Sequence, residues 1–105
     1  MAVALFTVRA TIAPEREDAF NRWYDNEHCP QLLRYRGAVS ARRYQRILGD
    51  GKYPYMAVYE FESRETLESF LESDHFAELI EEYDRNFGEV SERVRDAYVQ
   101  VWPWR

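Results

Sequence analysis

The chain reads as an α+β domain in the order β-α-β-β-α-β, a four-stranded antiparallel sheet with both helices on one face. Three features carry this reading: a β-branched, apolar run from Val3 to Ile12, a hairpin turn at Gly49-Asp50-Gly51-Lys52, and an amphipathic helical segment on either side of that hairpin. One central hairpin flanked by two helices is the split β-α-β pattern of a ferredoxin-like fold. Right-handed crossovers put the two helices on the same side of the sheet.

In the first strand, Ala4, Phe6, Val8, Ala10 and Ile12 share one face and Val3, Leu5, Thr7 and Arg9 the other. Pro14 suits the first turn of a helix, and Glu15, Glu17 and Asp18 favour its positive end, so the first helix is expected to run to about Cys29 and to stop before Pro30. Gly37 closes a loop. The second strand spans Ala38 to Leu48 and the third Tyr53 to Glu62, with the register between them, and hence the side that Arg43 shares with Tyr55, Ala57, Tyr59 and Phe61, left open by the uncertain loop length. Ser63 caps a helix carrying Leu67, Phe70 and Leu71. Ser73-Asp74 restarts that helix with Phe76, Leu79 and Ile80, and the apolar stripe continues through Tyr83, Phe87, Val90 and Val94, with a bend at Gly88. A last strand is expected from Ala97 to Trp102, stopped by Pro103.

The 105 residues form a single domain, 1–105, without repeats or linkers, and both faces of the first and third strands carry apolar residues. A second copy packed sheet to sheet is the economical cover, so a symmetric homodimer is expected. The net charge of −5 offers no basic face for a phosphate backbone, which argues against nucleic acid. No apolar run reaches the ~20 residues of a membrane span, and no basic leader precedes the first strand. With a single cysteine the chain fits a reducing cytoplasm. Aromatic residues make up 16% of the chain, more than an ordinary domain uses, and aromatic side chains with polar tips suit pockets and interfaces.

The densest chemistry lies in Phe20-Asn21-Arg22-Trp23-Tyr24-Asp25-Asn26-Glu27-His28-Cys29-Pro30. At about 100° per residue, Phe20, Trp23, Tyr24, Glu27 and His28 share one side of a helix and Asp25 lies on its flank. Glu27 thus falls in the middle of an apolar stripe. Either it reaches water at a frayed helix end, or the end of the helix roofs a pocket into which Glu27 and His28 point.

This run resembles the aromatic-Tyr-x-x-x-His-x-Pro signature of EthD-like proteins in the dimeric α+β barrel superfamily. The resemblance extends more loosely over Gly37 to Tyr44 and Tyr55 to Glu60. It implies a small, often aromatic or lactone-like molecule bound between sheet and helices, in a superfamily that includes cofactor-free monooxygenases, isomerases, cyclases, heme-binding members and many proteins without assigned activity. It implicates Tyr24 and His28, with Trp23 as a packing wall.

At the level of single residues, His28 ends its helix, where the dipole favours imidazolium, and His75 begins one, where it favours the neutral ring. Such a pair could move protons at neutral pH if the two met, and surface histidines at helix ends are equally common. His28, Tyr24, Glu27 and His75 are therefore the candidate catalytic residues. Tyr44, Tyr55 and Tyr59 offer phenols to a pocket or simply pack; Arg43 could hold a carboxylate or enolate, or pair with Glu60 or Glu62; Trp102, with Pro103 and Trp104, would seal a dimer interface or pocket rim. No metal site is expected, since of Asp25, Glu27 and His28 only Asp25 and His28 have a converging spacing. Cys29 has no orienting partner and reads as a small helix-end residue. No phosphate loop, dinucleotide fingerprint or Ser-His-Asp order appears, so no cofactor is expected.

Two functions follow. The first is a cofactor-independent enzyme moving protons on a small carbonyl, phenolic or lactone compound in an isomerase, cyclase or lyase step. The second is a carrier or sensor of the same architecture that binds without turnover.

Overall fold

The computed structural model describes residues 2–103; Trp104 lies outside them. Strands β1 (Ala4–Ile12), β2 (Ala38–Gln45), β3 (Tyr55–Phe61) and β4 (Ser91–Val99) form one antiparallel sheet in the order β2-β3-β1-β4. This is the ferredoxin-like arrangement expected from the element order. Period-two alternation sends Ala4, Phe6, Val8 and Ala10 of β1 and Tyr55, Ala57, Tyr59 and Phe61 of β3 to one buried face. Phe20, Leu32 and Phe70 from the helices complete the most deeply buried set around Tyr59 and Phe61.

The register left open by the sequence is settled by the pairing of Arg43 with Ala57 and of Ala41 with Tyr59, which turns Arg43 toward the helices. The hairpin connection is longer than the four-residue turn expected, because β2 ends at Gln45 and β3 begins at Tyr55. Its apolar residues Ile47 and Leu48, read as strand, are exposed.

Helix α1 (Glu17–Trp23) follows a short 3-10 turn at Pro14–Arg16 and does not stop at Pro30. It passes through a π turn, Tyr24–His28, into α2 (Cys29–Leu32), with the Cys29 N–H bonded to the Tyr24 carbonyl. Proline inside a regular helix clashes with the carbonyl four residues back and lacks the N–H to bond it. The widened turn just before Pro30 moves that carbonyl away and leaves Pro30 in the first turn of α2, where a missing donor costs little.

The break expected at Ser73-Asp74 is present. Helix α3 (Arg64–Leu71) is capped by Ser63 and α4 (Asp74–Phe87) by Ser73, each hydroxyl accepting from a backbone N–H three residues on, Thr66 and Phe76, at 3.1 Å. Gly88 ends α4 instead of bending it, so Val90 and Val94 are not helical. Strand β4 accordingly starts at Ser91, six residues before the expected Ala97, and ends before Trp102.

Candidate functional site

The π turn decides which side chains of the motif face inward. One extra residue per turn carries the stripe onward, so the partner stacked on Trp23 is His28, five residues along, with ring centroids 4.4 Å apart and planes 24° from parallel. Tyr24 meets the same imidazole edge-on at 5.0 Å. Glu27, placed mid-stripe by a regular helix, is exposed, as is Asp25. The regular-helix geometry is thus corrected for Glu27, which faces outward and lines no cavity with His28.

His28 lines a narrow, partly open slot of about 30 Å³ between α4, the π turn and the β1–β4 edge. Its walls are apolar or aromatic, with Phe6, Tyr24, Tyr59, Phe76, Leu79 and Tyr83 prominent. Two cations complete them. Arg93 and Arg95 pair across the sheet with Ala10 and Val8, residues of the inward face of β1, and so stand on the helix side of β4. The Arg93 guanidinium lies 3.7 Å over the Tyr83 ring and 3.3 Å from Asp84.

The imidazole of His28 is buried, and among the described residues its Nδ1 has no hydrogen-bond partner. Burial, reinforced by the positive charges of Arg93 and Arg43, lowers its pKa to about 4. The expectation that the helix end would favour imidazolium is thus overturned, because α2 prolongs the helix past His28 and desolvation outweighs the dipole. Burial also raises the Tyr24 phenol well above its usual value, with Tyr83 adding to the shift, so Tyr24 is a donor and not a phenolate at neutral pH.

The other sequence candidates lie elsewhere. His75 turns away from His28 and bonds the Gln31 backbone carbonyl at 2.8 Å, tying α4 to α2. Arg43, read either as an anchor for a carboxylate or enolate or as a partner of Glu60 or Glu62, lies 4.3 Å over the Tyr24 ring and 3.5 Å from Asp25, while Glu60 faces Arg42 at 4.0 Å. With Tyr44 and Tyr55 it lines a separate, open depression. Tyr55 donates to Glu17 and accepts from Asn21, a structural role. Trp23 is the wall expected of it, behind His28. Trp102 is 82% exposed and seals nothing within the protomer. Cys29 contacts the Tyr59 hydroxyl at 4.0 Å, and burial raises its thiol pKa. Among the described residues no three metal-ligating side chains cluster.

Arg93 and Arg95 are absent from the sequence candidates because the apolar rhythm runs on through Gly88, while Tyr83 reads there only as a core residue of the helix stripe. Ending the helix there exposes the alternation Arg93, Arg95, Ala97, Val99 as one face of a strand.

A family model described as a domain of unknown function (DUF4286) matches residues 3–96. The chain belongs to that family. No curated protein matches the sequence. Several solved structures share the fold of this DUF4286 domain. An EthD family protein from Bacillus halodurans is 19% identical at a TM-score of 0.66, over 91% of this chain and 97% of that one. A dabb family protein with a ferredoxin-like fold from Mesorhizobium loti is 14% identical at 0.67, over 96% and 99%. SnoaB, a cofactor-independent oxygenase from Streptomyces nogalater, is 17% identical at 0.63, over 98% and 99%. The ferredoxin-like architecture expected from the EthD-like resemblance is borne out at the level of the fold.

The buried neutral ring predicts a pH dependence of stability. His28 has a folded value of about 4 against 6.5 for the ordinary ring, so between those values the unfolded chain binds the proton and the folded chain does not. Its contribution is full above pH 6.5 and is lost as pH falls toward 4. In denaturant titrations, the stability advantage of the parent over His28→Gln should shrink by about 3 kcal/mol from pH 7 to pH 4. A difference that does not change with pH contradicts the burial of a neutral ring.

Proposed function

We propose that this chain is a small-molecule enzyme in which His28 is the general base of a cofactor-independent proton transfer. The observation that carries this reading is an imidazole held neutral by burial whose ring forms part of the wall of an aromatic cavity. A base already deprotonated at neutral pH needs no activation. The imidazole lone pair takes a proton from a phenolic hydroxyl or a C–H beside a carbonyl, and the electron pair stays on the substrate as phenolate or enolate. The positive charges of Arg93 and Arg95 favour that anion, and Tyr24 has a phenol able to donate to a carbonyl oxygen. The imidazolium then returns the proton to a different substrate atom, giving an isomerase, cyclase or lyase outcome with no change in electron count. That SnoaB is a cofactor-independent oxygenase supports unaided side-chain chemistry within this fold.

The test is exchange of substrate hydrogen for solvent deuterium, followed by NMR over a set of phenols, β-dicarbonyl compounds and lactones. The parent should accelerate exchange in at least one of these, and His28→Gln should reduce that rate about a hundredfold or more while leaving binding within a few-fold. Exchange at the parental rate in His28→Gln removes the base. Binding without exchange by the parent favours the carrier reading.

The open sheet face supports a homodimer. It carries Leu5, Met56, Val58 and Val94, with Tyr44 and Tyr98 about half exposed, between the ion pairs Arg9–Asp96 and Arg42–Glu60. Light scattering at micromolar concentration should give twice the 12.6 kDa of one chain. A monomer at that concentration contradicts the pairing.

A further inference from the structure

Of the two arginines on the cavity wall, Arg93 is already occupied, stacked on Tyr83 and paired with Asp84. Arg95 is different. Its nearest aromatic ring is Phe76, at 5.9 Å, and among the described residues it pairs with no carboxylate. Its acidic neighbours in sequence cannot serve, because strand alternation puts Glu92 and Asp96 on the opposite face, where they hold Lys52 at 2.7 Å and Arg9 at 3.5 Å. None of the residues lining the cavity is acidic, although the chain as a whole carries a net charge of −5. Arg95 is exposed at this rim; the desolvation it does feel and the adjacent Arg93 lower its pKa, with Asp84, Tyr24 and Tyr83 offsetting this only in part. A guanidinium fork without a partner, at the mouth of an apolar slot and beside a second cation, is matched by a bidentate anion.

We propose that the ligand of this site is a planar carboxylic acid whose carboxylate is held by Arg95 at the mouth while its phenolic or enolisable edge reaches into the slot toward His28. The proposal rests on the cavity being the functional site and adds the substrate class and the residue that selects it. Its direction also follows from the layout: the narrow apolar slot receives the leading edge of the molecule, the β4 edge receives the charge, and the acidic hydrogen is presented to the imidazole. Arg43 does not compete for this role, since Asp25 occupies it outside the cavity.

The experiment measures binding of salicylate, cinnamate and naphthoate, each against its own carboxamide, by calorimetry at fixed ionic strength. The amide keeps shape and area and removes only the charge. At least one acid should bind the parent about tenfold or more tighter than its amide. Arg95→Gln should bring that ratio to near one, and Arg95→Lys, which keeps the charge but loses the fork, should leave it intermediate; the lysine variant carries the test if the glutamine variant does not fold. His28→Gln should keep the ratio, so that a failure of the base and a failure of the carboxylate site are told apart. The proposal is overturned if no acid outbinds its amide, or if the preference survives in Arg95→Gln.

Discussion

A single widened turn governs the geometry of this site. A regular helix entering Pro30 would have to end, and the residues before it would fray toward water. The π turn at Tyr24–His28 lets the helix continue to Leu32, and Leu32 then anchors the far side among the most buried residues of the core. With both ends of the turn held, the imidazole cannot escape to solvent and stacks on Trp23 instead. The cost of leaving its Nδ1 unpaired, of order 1–3 kcal/mol for a buried polar atom, is carried by aromatic packing on three sides, from Trp23, Tyr24 and Tyr83.

The electrostatics follow from that placement. Removing the ring from water disfavours its charged form, and two arginines, Arg93 and Arg43, press in the same direction. Arg43 stays in place through Tyr24 and Asp25, Arg93 through Tyr83 and Asp84, so each charge is balanced locally and yet still acts on the imidazole. The result is a basic pocket in an acidic domain, able to attract an anion while its histidine remains uncharged.

Much of the fold was legible because its signals are local. The hairpin glycines, the alternation of β1 and β3 and the Ser63 and Ser73 caps each act within a few residues, and each appears in the structure. The identity of the central motif was legible too, since Trp23, Tyr24 and His28 do meet. Its orientation was not, because a π turn is invisible to a wheel that advances a fixed angle per residue, and the error fell on Glu27. The cationic half of the site was hidden by a different ambiguity. Phe87, Val90 and Val94 fit a helical spacing as well as they fit a helix end, a turn and a strand, and only Gly88 distinguishes the two. His75 was misread because its hydrogen bond to Gln31 depends on α2, an element that the sequence reading had ended at Pro30.

The central claim is that His28 is an uncharged base at the pH at which the protein works, and NMR titration of its ring carbons and nitrogens tests this directly. His75, bonded to a backbone carbonyl near the surface, supplies a second ring in the same spectrum. The account predicts that the His28 resonances stay those of a neutral imidazole from pH 8 down to pH 5 and move only near the value of about 4 set by burial. A His28 ring that titrates near 6.5, the value of an ordinary solvated histidine, would contradict it.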